Sequence, residues 1–287
     1  MFYKVDRVPQ PARRTHLRDL LTMLACTAFA QGFGLAALAP TALAQEMTQY
    51  LDLKSDEFTK ADLTRADVEA LIAARKASTR IDLQAKRLNK LDLSGLDLSD
   101  ANLQSARING TNLSKAKLDG AVLDQAWGLD ADLTGASLKG ASLFATQLMG
   151  AKVDGADLSN SRIAADFSRA SLKGAKFDHA DLSADMKNQS MGLMRGVFKS
   201  ADLEDASFRD ANLARVVLDY AQLDNADLTG ANLMGSELGG ANLTGANVTG
   251  ANFSGADVNS ARLLKLIGRD TATGLASAKN LDRAFTD

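Results

Sequence analysis

The residues able to do chemistry in this chain are numerous but evenly spaced. Asp132, Asp157, Asp181, Asp202 and Asp227 could serve as acid–base groups, and Ser or Thr follows many of the leucines. Carboxylates placed for hydrolysis come as an isolated pair, and a serine nucleophile needs a His or Lys base beside it. Here the acids recur at fixed offsets, and no base is placed by sequence. Only two histidines occur, His16 and His179, and one cysteine, Cys26, so a His- or thiolate-based metal or catalytic centre is not expected. His179 lies between Asp178 and Asp181 and reads as a solvated side chain. Asp52, Asp56 and Glu57 do not match the spacing of a calcium loop and read as a solvated acidic stretch. The many glycines recur every fifth residue, which explains them without a phosphate-binding loop. The chain is therefore read as a non-enzyme with no cofactor and no metal.

What imposes that spacing is a repeat. Residues 226–258 read ADLTG-ANLMG-SELGG-ANLTG-ANVTG-ANFSG-ADV. Leu228, Leu233, Leu238, Leu243, Val248, Phe253 and Val258 fall every fifth position. A small residue precedes each by two: Ala226, Ala231, Ser236, Ala241, Ala246, Ala251, Ala256. Five residues advance an α-helix by about 500°, which would spread the leucines over all its faces. A plain strand would put every second one outside. Both apolar positions stay inside only if the chain turns a corner once per repeat, and Gly, Asp, Asn, Ser and Thr in the other slots suit such corners.

These A(D/N)LxG motifs resemble the pentapeptide-repeat family. The resemblance implies a right-handed quadrilateral β-helix, an all-β solenoid with four repeats per coil and Leu and Ala inside. Low aromatic content, 5%, fits that narrow interior. With four repeats per coil, residues 20 apart stack. Leu203, Leu223, Leu243 and Leu263 then form one interior ladder, Leu213, Leu233 and Phe253 another, and Asn212, Asn232 and Asn252 an outer column. Roughly nine coils at about 4.8 Å give a rod of about 43 Å.

The register is traceable from Leu88. Sixteen slots run to Ile163, broken only at Gly128, beside Trp127. Ile163 to Phe167 is four residues, so one residue is missing near Ala164, and a tightened or kinked corner is expected there. Leu182 to Phe198 is sixteen, read as three fives plus one, with a bulged loop leaving a face within 183–197. Met186, Lys187, Met191, Met194 and Arg195 make that loop the candidate interaction feature, and Trp127 is the candidate surface anchor. Fourteen apolar slots then run from Phe198 to Leu263.

The flanks differ from the repeats. Residues 1–44 read as a signal peptide: basic Lys4, Arg7, Arg13, Arg14 and Arg18, an apolar run from Leu20 to Ala39, then Ala42-Leu43-Ala44 before Gln45. Arg13-Arg14-Thr15-His16-Leu17-Arg18 resembles a twin-arginine export motif, with His16 departing from it, so ordinary secretion stays open. So does an uncleaved anchor, because the run approaches spanning length. Cys26 follows Met23-Leu24-Ala25, a poor context for lipid attachment. Cleavage leaves 28 Lys and Arg against 33 Asp and Glu, a charge of about −5. Such a chain has no basic patch for nucleic acid and no stable membrane anchor. Residues 45–80 hold a capping helix signalled by Thr64-Arg65-Ala66-Asp67, with Val68, Leu71 and Ile72 at helical spacing. The β-helix is assigned to 81–268, with its break at 164–197. Residues 269–287 form a C-terminal cap, with Leu264, Leu266, Ile267, Leu275, Leu281 and Phe285 closing the last coil. A homodimer through that end is the sharper reading.

Function follows only in outline. The sequence predicts a periplasmic or secreted binding or scaffolding rod with an unknown protein partner. The alternative that the resemblance supplies is a DNA mimic inhibiting a DNA-binding enzyme such as gyrase. A mimic needs a dense negative column, and Lys117, Lys152, Arg162 and Lys176 interrupt it.

Overall fold

The computed structural model describes residues 51–76, 79–187 and 194–287. Residues 1–44, read above as a signal peptide, with His16 and Cys26, and Met191 of the loop lie outside the described residues. Packing divides the chain into Met1–Met47 and Thr48–Asp287, and the second unit is the one described below.

The repeats wind into a four-sided coil. Parallel backbone bridges link Asp82 to Asn102, Arg87 to Arg107, Asp92 to Asn112 and Asp97 to Lys117, and the same step of 20 continues upward. These four columns define faces I to IV in chain order. Faces II and IV are opposite sides. At each corner the carbonyl of the central apolar residue accepts from the N–H three residues on, as from Ala101 to Leu98 at 3.0 Å. The residue before that N–H has positive φ, such as Asp100 at 58° and Gly95 at 68°. That is a type II turn, so Gly is favoured in the fifth slot but not required. Leu228, Leu233 and their equivalents are fully buried, as are the alanines two before them. Each buried leucine contributes about 1.5–3 kcal/mol, and the small residue lets the opposite walls approach.

Expected stacking is realised. Asn212, Asn232 and Asn252 bridge in sequence. Their carboxamides form a ladder, Asn232 Nδ2 to Asn212 Oδ1 at 3.1 Å and Asn252 Nδ2 to Asn232 Oδ1 at 3.2 Å. At Gly128 the motif lacks its apolar side chain, and Ile108 and Leu148 from the coils on either side fill the space. A Cβ there would lie 2.9 Å from Leu148 Cδ2 and 3.1 Å from Ile108 Cγ1.

Two irregularities differ from expectation. The missing residue neither tightens nor kinks its corner. Instead the corner loses its left-handed residue and becomes strand β2, Arg162–Asp166, paired in parallel with β1, Ser142–Gln147. The coil before it keeps the turn at Ala145, φ 57°, so the register shifts between Phe144 and Gln147. Ala164 and Ala165 both face inward and are buried, since an extended corner has no outward-pointing turn residue. The second irregularity is not three repeats plus one residue. Asp166 bridges Val197, a step of 31 against the usual 20, and among the described residues no bridge falls between Leu182 and Val197. The step is therefore eleven residues longer than a coil, and Asp185 N–H to Met194 O, 2.8 Å, closes the neck. Across this break the interior turns aromatic. Phe167 stacks on Phe198 at 5.2 Å from face II, Phe177 on Phe208 at 4.8 Å from face IV, and the pairs meet edge to face.

Both ends are covered. Helix α1 is Asp56–Thr59 and α2 is Arg65–Ala73, whose Thr64 and Asp67 make the expected capping box. Val68 is buried and Ile72 half-buried, but Leu71 is 41% exposed and is not part of the seal. Arg65 and Arg75 donate to the free carbonyls of Asp92 and Ser99 on the first coil's outer edge, which removes a strand edge open to pairing. After Leu263 the chain makes one more turn in steps of six. Gly268, Gly274 and Asn280, φ 72°, 72° and 58°, precede 3-10 turns Arg269–Thr271, Leu275–Ser277 and Leu281–Arg283. Short strands β3 (Arg262–Leu263) and β4 (Phe285–Thr286) join that turn to the coil below. Leu275 is buried and Leu264, Leu266 and Leu281 are half-buried, but Ile267 and Phe285 sit in outward slots and are 58% exposed. They do not close the end, because the slot they occupy, the one before each central residue, points away from the interior.

One buried hydroxyl is out of place. Thr111, Thr146 and Ser161 occupy the small-residue slot and donate to Leu88, Leu123 and Leu158 carbonyls. Ser236 occupies the same slot, fully buried, and its Oγ has no partner. Ser236→Ala is expected to raise stability by about 1–3 kcal/mol, the cost of an unsatisfied buried polar group, read as a higher denaturation midpoint.

Candidate interaction surface

Most outward polar side chains already have structural work. The Asp or Asn before each central residue turns back to accept the N–H two residues on, as Asp92 does from Ser94 at 3.0 Å and Asp227 from Thr229 at 3.0 Å. Hydrogen bonds from Ser94 and Ser99 hold the Asp92 and Asp97 carboxyls below the usual range. At several turns where that slot is not Asp or Asn, an acid or amide of the coil below supplies the acceptor. Asp119 accepts from Lys139 N–H (3.0 Å), Asp124 from Phe144 (2.9 Å), Asp154 from Lys173 (2.9 Å) and Asp219 from Gly239 (2.9 Å). These acids are turn acceptors, which explains their periodicity. His179 sits at a corner with φ 57°, its Nδ1 4.0 Å from Asp210.

Face II departs most from this chemistry. Its column reads Arg87, Arg107, Trp127, Gln147, Asp166, Val197, Val217, Glu237, Asp257. Trp127 points outward, as a surface residue should, but Phe58 of the N-terminal arm covers it edge-on at 5.5 Å, and Arg107 lies 5.7 Å from both rings. The space at Gly128 is filled by Ile108 and Leu148 and not by Trp127.

The loop neck returns on the same face. Arg195 Nη1 donates to the Arg215 carbonyl (3.0 Å) and to Glu237 Oε1 (2.8 Å), so Arg195 is held against the wall. Met194 is half-buried beside it, while Met186, 52% exposed, and Lys187 lie on the outer limb. Lys187 N–H is turned onto Asp185 Oδ1. Beyond Arg195 lies an open cavity of about 290 Å³, lined by Asp219, Tyr220, Glu237, Gly239, Asp257 and Asn259. Burial pushes the Asp219 carboxyl up, aided by Glu237 and Asp257 and opposed by the Gly239 N–H and Lys199. Sequence reading missed this notch. Its acids are not adjacent in sequence: Glu237 and Asp257 stack 20 apart in the column, and Asp219 reaches them from the turn one coil before Glu237. Among the described residues no group of His, Cys, Asp and Glu is arranged to hold a metal ion.

Asp219→Asn keeps an acceptor for Gly239 and removes the charge. A carboxyl raised in the folded state weakens folding at pH values above its unfolded pKa, and the penalty vanishes as it protonates. The variant is expected to be more stable than the parent at pH 7 and to lose that advantage near pH 3, as read from melting midpoints.

The family model described as pentapeptide repeats matches eight copies, over residues 87–127, 130–163, 164–184, 197–235 and 231–263. The chain belongs to the pentapeptide-repeat family. Its coil is accordingly the right-handed quadrilateral β-helix of that family. The match is interrupted where the loop leaves the wall and at Gly128-Leu129. Among solved structures, this pentapeptide-repeat protein is similar to HetL, a pentapeptide-repeat protein involved in heterocyst differentiation regulation from the cyanobacterium Nostoc sp. strain PCC 7120. The identity is 30% over 77% of this chain and 98% of that one, with a TM-score of 0.36. It is also similar to QnrB1, a plasmid-mediated fluoroquinolone resistance protein, at 15% identity over 68% and 91%, TM-score 0.40. A third is Rfr23 from the cyanobacterium Cyanothece 51142, at 27% over 41% and 60%, TM-score 0.22. No curated protein matches the chain.

Proposed function

We propose that this pentapeptide-repeat protein is an exported, non-enzymatic binding or scaffolding rod that meets a protein partner on face II. The observation that carries this reading is the grouping on one face of the arm socket, the loop neck and the acid-and-tyrosine notch. Elsewhere the outward polar residues largely serve turns and columns. A DNA-like surface is disfavoured by ion pairs on the other faces. Lys173 joins Asp202 (3.0 Å) and Glu204 (2.6 Å), Arg209 joins Asp227 (2.8 Å) and Lys139 joins Asp157 (3.2 Å). Such exposed pairs add little stability, but they break up the negative columns a mimic needs.

Export is tested by N-terminal sequencing of the protein from cells, expected to begin at Gln45. Binding is tested by affinity capture from the periplasmic fraction, comparing the parent with a chain whose residues 186–193 are replaced by a short linker. The folded variant is expected to lose partners that the parent retains, and an unchanged set would remove the loop from the binding face. A second copy is the partner proposed for the C-terminal end, where Ile267 and Phe285 are exposed. Sedimentation of the parent and of Phe285→Asp is expected to show a dimer only in the parent.

A further inference from the structure

The N-terminal arm, residues 51–63, rests in a socket on face II that is built to read a peptide. Asn89, 2% exposed, gives its carboxamide nitrogen to two arm carbonyls, Glu57 at 3.0 Å and Lys60 at 2.8 Å. Its Oδ1 is fixed by Asn109, from the backbone N–H at 3.1 Å and from Nδ2 at 2.8 Å. Donation to main-chain carbonyls recognises a peptide whatever its side chains. The side chains are read next to it: Arg107 Nε lies 3.1 Å from Glu57 Oε1, and Trp127 meets the Phe58 ring. A cation packed beside two touching aromatic rings, with a carboxylate alongside, selects an acidic residue followed by an aromatic one.

The arm shares far fewer backbone hydrogen bonds with the coils than the coils share with one another. Among the described residues, the one backbone-to-backbone hydrogen bond between arm and coil is Asp62 N–H to Arg87 O, 2.7 Å. Helix α1 has four residues and buries none of them. Segments with few buried contacts and solvent-facing pairs open well below the free energy of global unfolding. Opening leaves Asn89 without its acceptors and exposes Trp127 and Arg107 together.

We propose that the Asn89–Arg107–Trp127 socket is a docking site for an acidic–aromatic segment of a partner protein, occupied in the resting chain by its own arm. This rests on face II as the binding face, but the test reads the socket directly and is independent of the loop replacement. Trp127 is the only tryptophan, so its fluorescence reports the socket. The full chain carrying Glu57→Gln and Phe58→Ala keeps α2 and the Asp62–Arg87 pair. Its Trp127 is expected to be quenched by acrylamide several-fold faster than in the parent. A synthetic peptide of residues 51–63 should restore protection, a scrambled peptide should not, and adding Arg107→Ala should abolish the effect. Peptide binding that is absent, or indifferent to Arg107→Ala, overturns the proposal. In the parent, hydrogen exchange should show residues 53–60 opening at least a hundredfold more readily than the coils. Exchange of arm and coils together overturns it too, even if the double variant fails to fold. Dimerisation of the parent by arm exchange would also overturn it, in favour of self-association.

Discussion

Phe198→Ala is expected to destabilise the β-helix by about 3–5 kcal/mol. The ring is fully buried, stacks on Phe167 at 5.2 Å and meets Phe177 and Phe208 edge-on at 5.8 and 6.2 Å. Removing it costs the transfer of an aromatic side chain to water and leaves a void that its neighbours cannot close. Each of those neighbours is fixed by the backbone ladder of its own coil. The site also lies where the ladder skips eleven residues. A solenoid transmits stability only between neighbouring coils, so the weakened junction is expected to split unfolding into two phases. Denaturant titration followed by circular dichroism would show a lowered midpoint with a broadened or biphasic transition. A loss below about 1 kcal/mol would mean that the aromatic cluster does not hold the two sides of the break together.

Gly128→Leu restores the motif in the one interior slot that lacks it, and is nonetheless expected to destabilise. Ile108 and Leu148 have moved into the vacant space, and even a Cβ would stand 2.9 Å from Leu148. Overpacking a core with one added methylene series typically costs about 1–3 kcal/mol. Here a whole leucine must displace two branched neighbours, so the upper end of that range is expected. The triple variant with Ile108→Ala and Leu148→Ala should recover part of the loss, because it frees the volume that the new side chain needs. A stabilised single variant would show that the gap is a true cavity rather than a filled one. The measurement is again the denaturation midpoint, with circular dichroism confirming that the coil is intact.

How legible the fold was depended on how local its determinants are. The fivefold spacing of Leu228, Leu233 and Leu238 is a local pattern with one physical solution, so the interior could be read residue by residue. The capping box at Thr64 was equally local. Leu71 was misread because helical spacing marks a stripe, while the angle at which α2 lies on the first coil decides how wide that stripe is. The corner at Ala164 was misread because a deletion can be absorbed by tightening or by straightening, and two adjacent alanines, small enough to face inward together, favour straightening. At 183–197, counting in fives assumed that the chain stays on the wall. Nothing in that count distinguishes three poor repeats from an excursion of eleven.

The surface was harder to read. The candidate residues split between outer limb and neck, with Arg195 tied to Glu237 forty-two positions away and Met186 outside. Trp127 was found by its break in the motif, but its cover, Phe58, lies in a segment with no repeat to count from. The notch at Asp219, Glu237 and Asp257 was visible only as a vertical relation.

The acceptor swap described above limits how such a chain can change by duplication. Several quarter-turns that lack their own Asp or Asn borrow a carboxylate or carboxamide from the storey beneath, as Lys139 does from Asp119. Copying or excising a single storey would leave one amide stranded and one acid idle wherever the lender and the borrower are parted. The smallest cassette that can be moved without such an orphan is therefore a block that keeps every lender with its borrower: two storeys for Asp219 and Gly239, three for Asn89, Asn109 and Leu129. Lengthening by such whole blocks should be tolerated more readily than lengthening by single storeys.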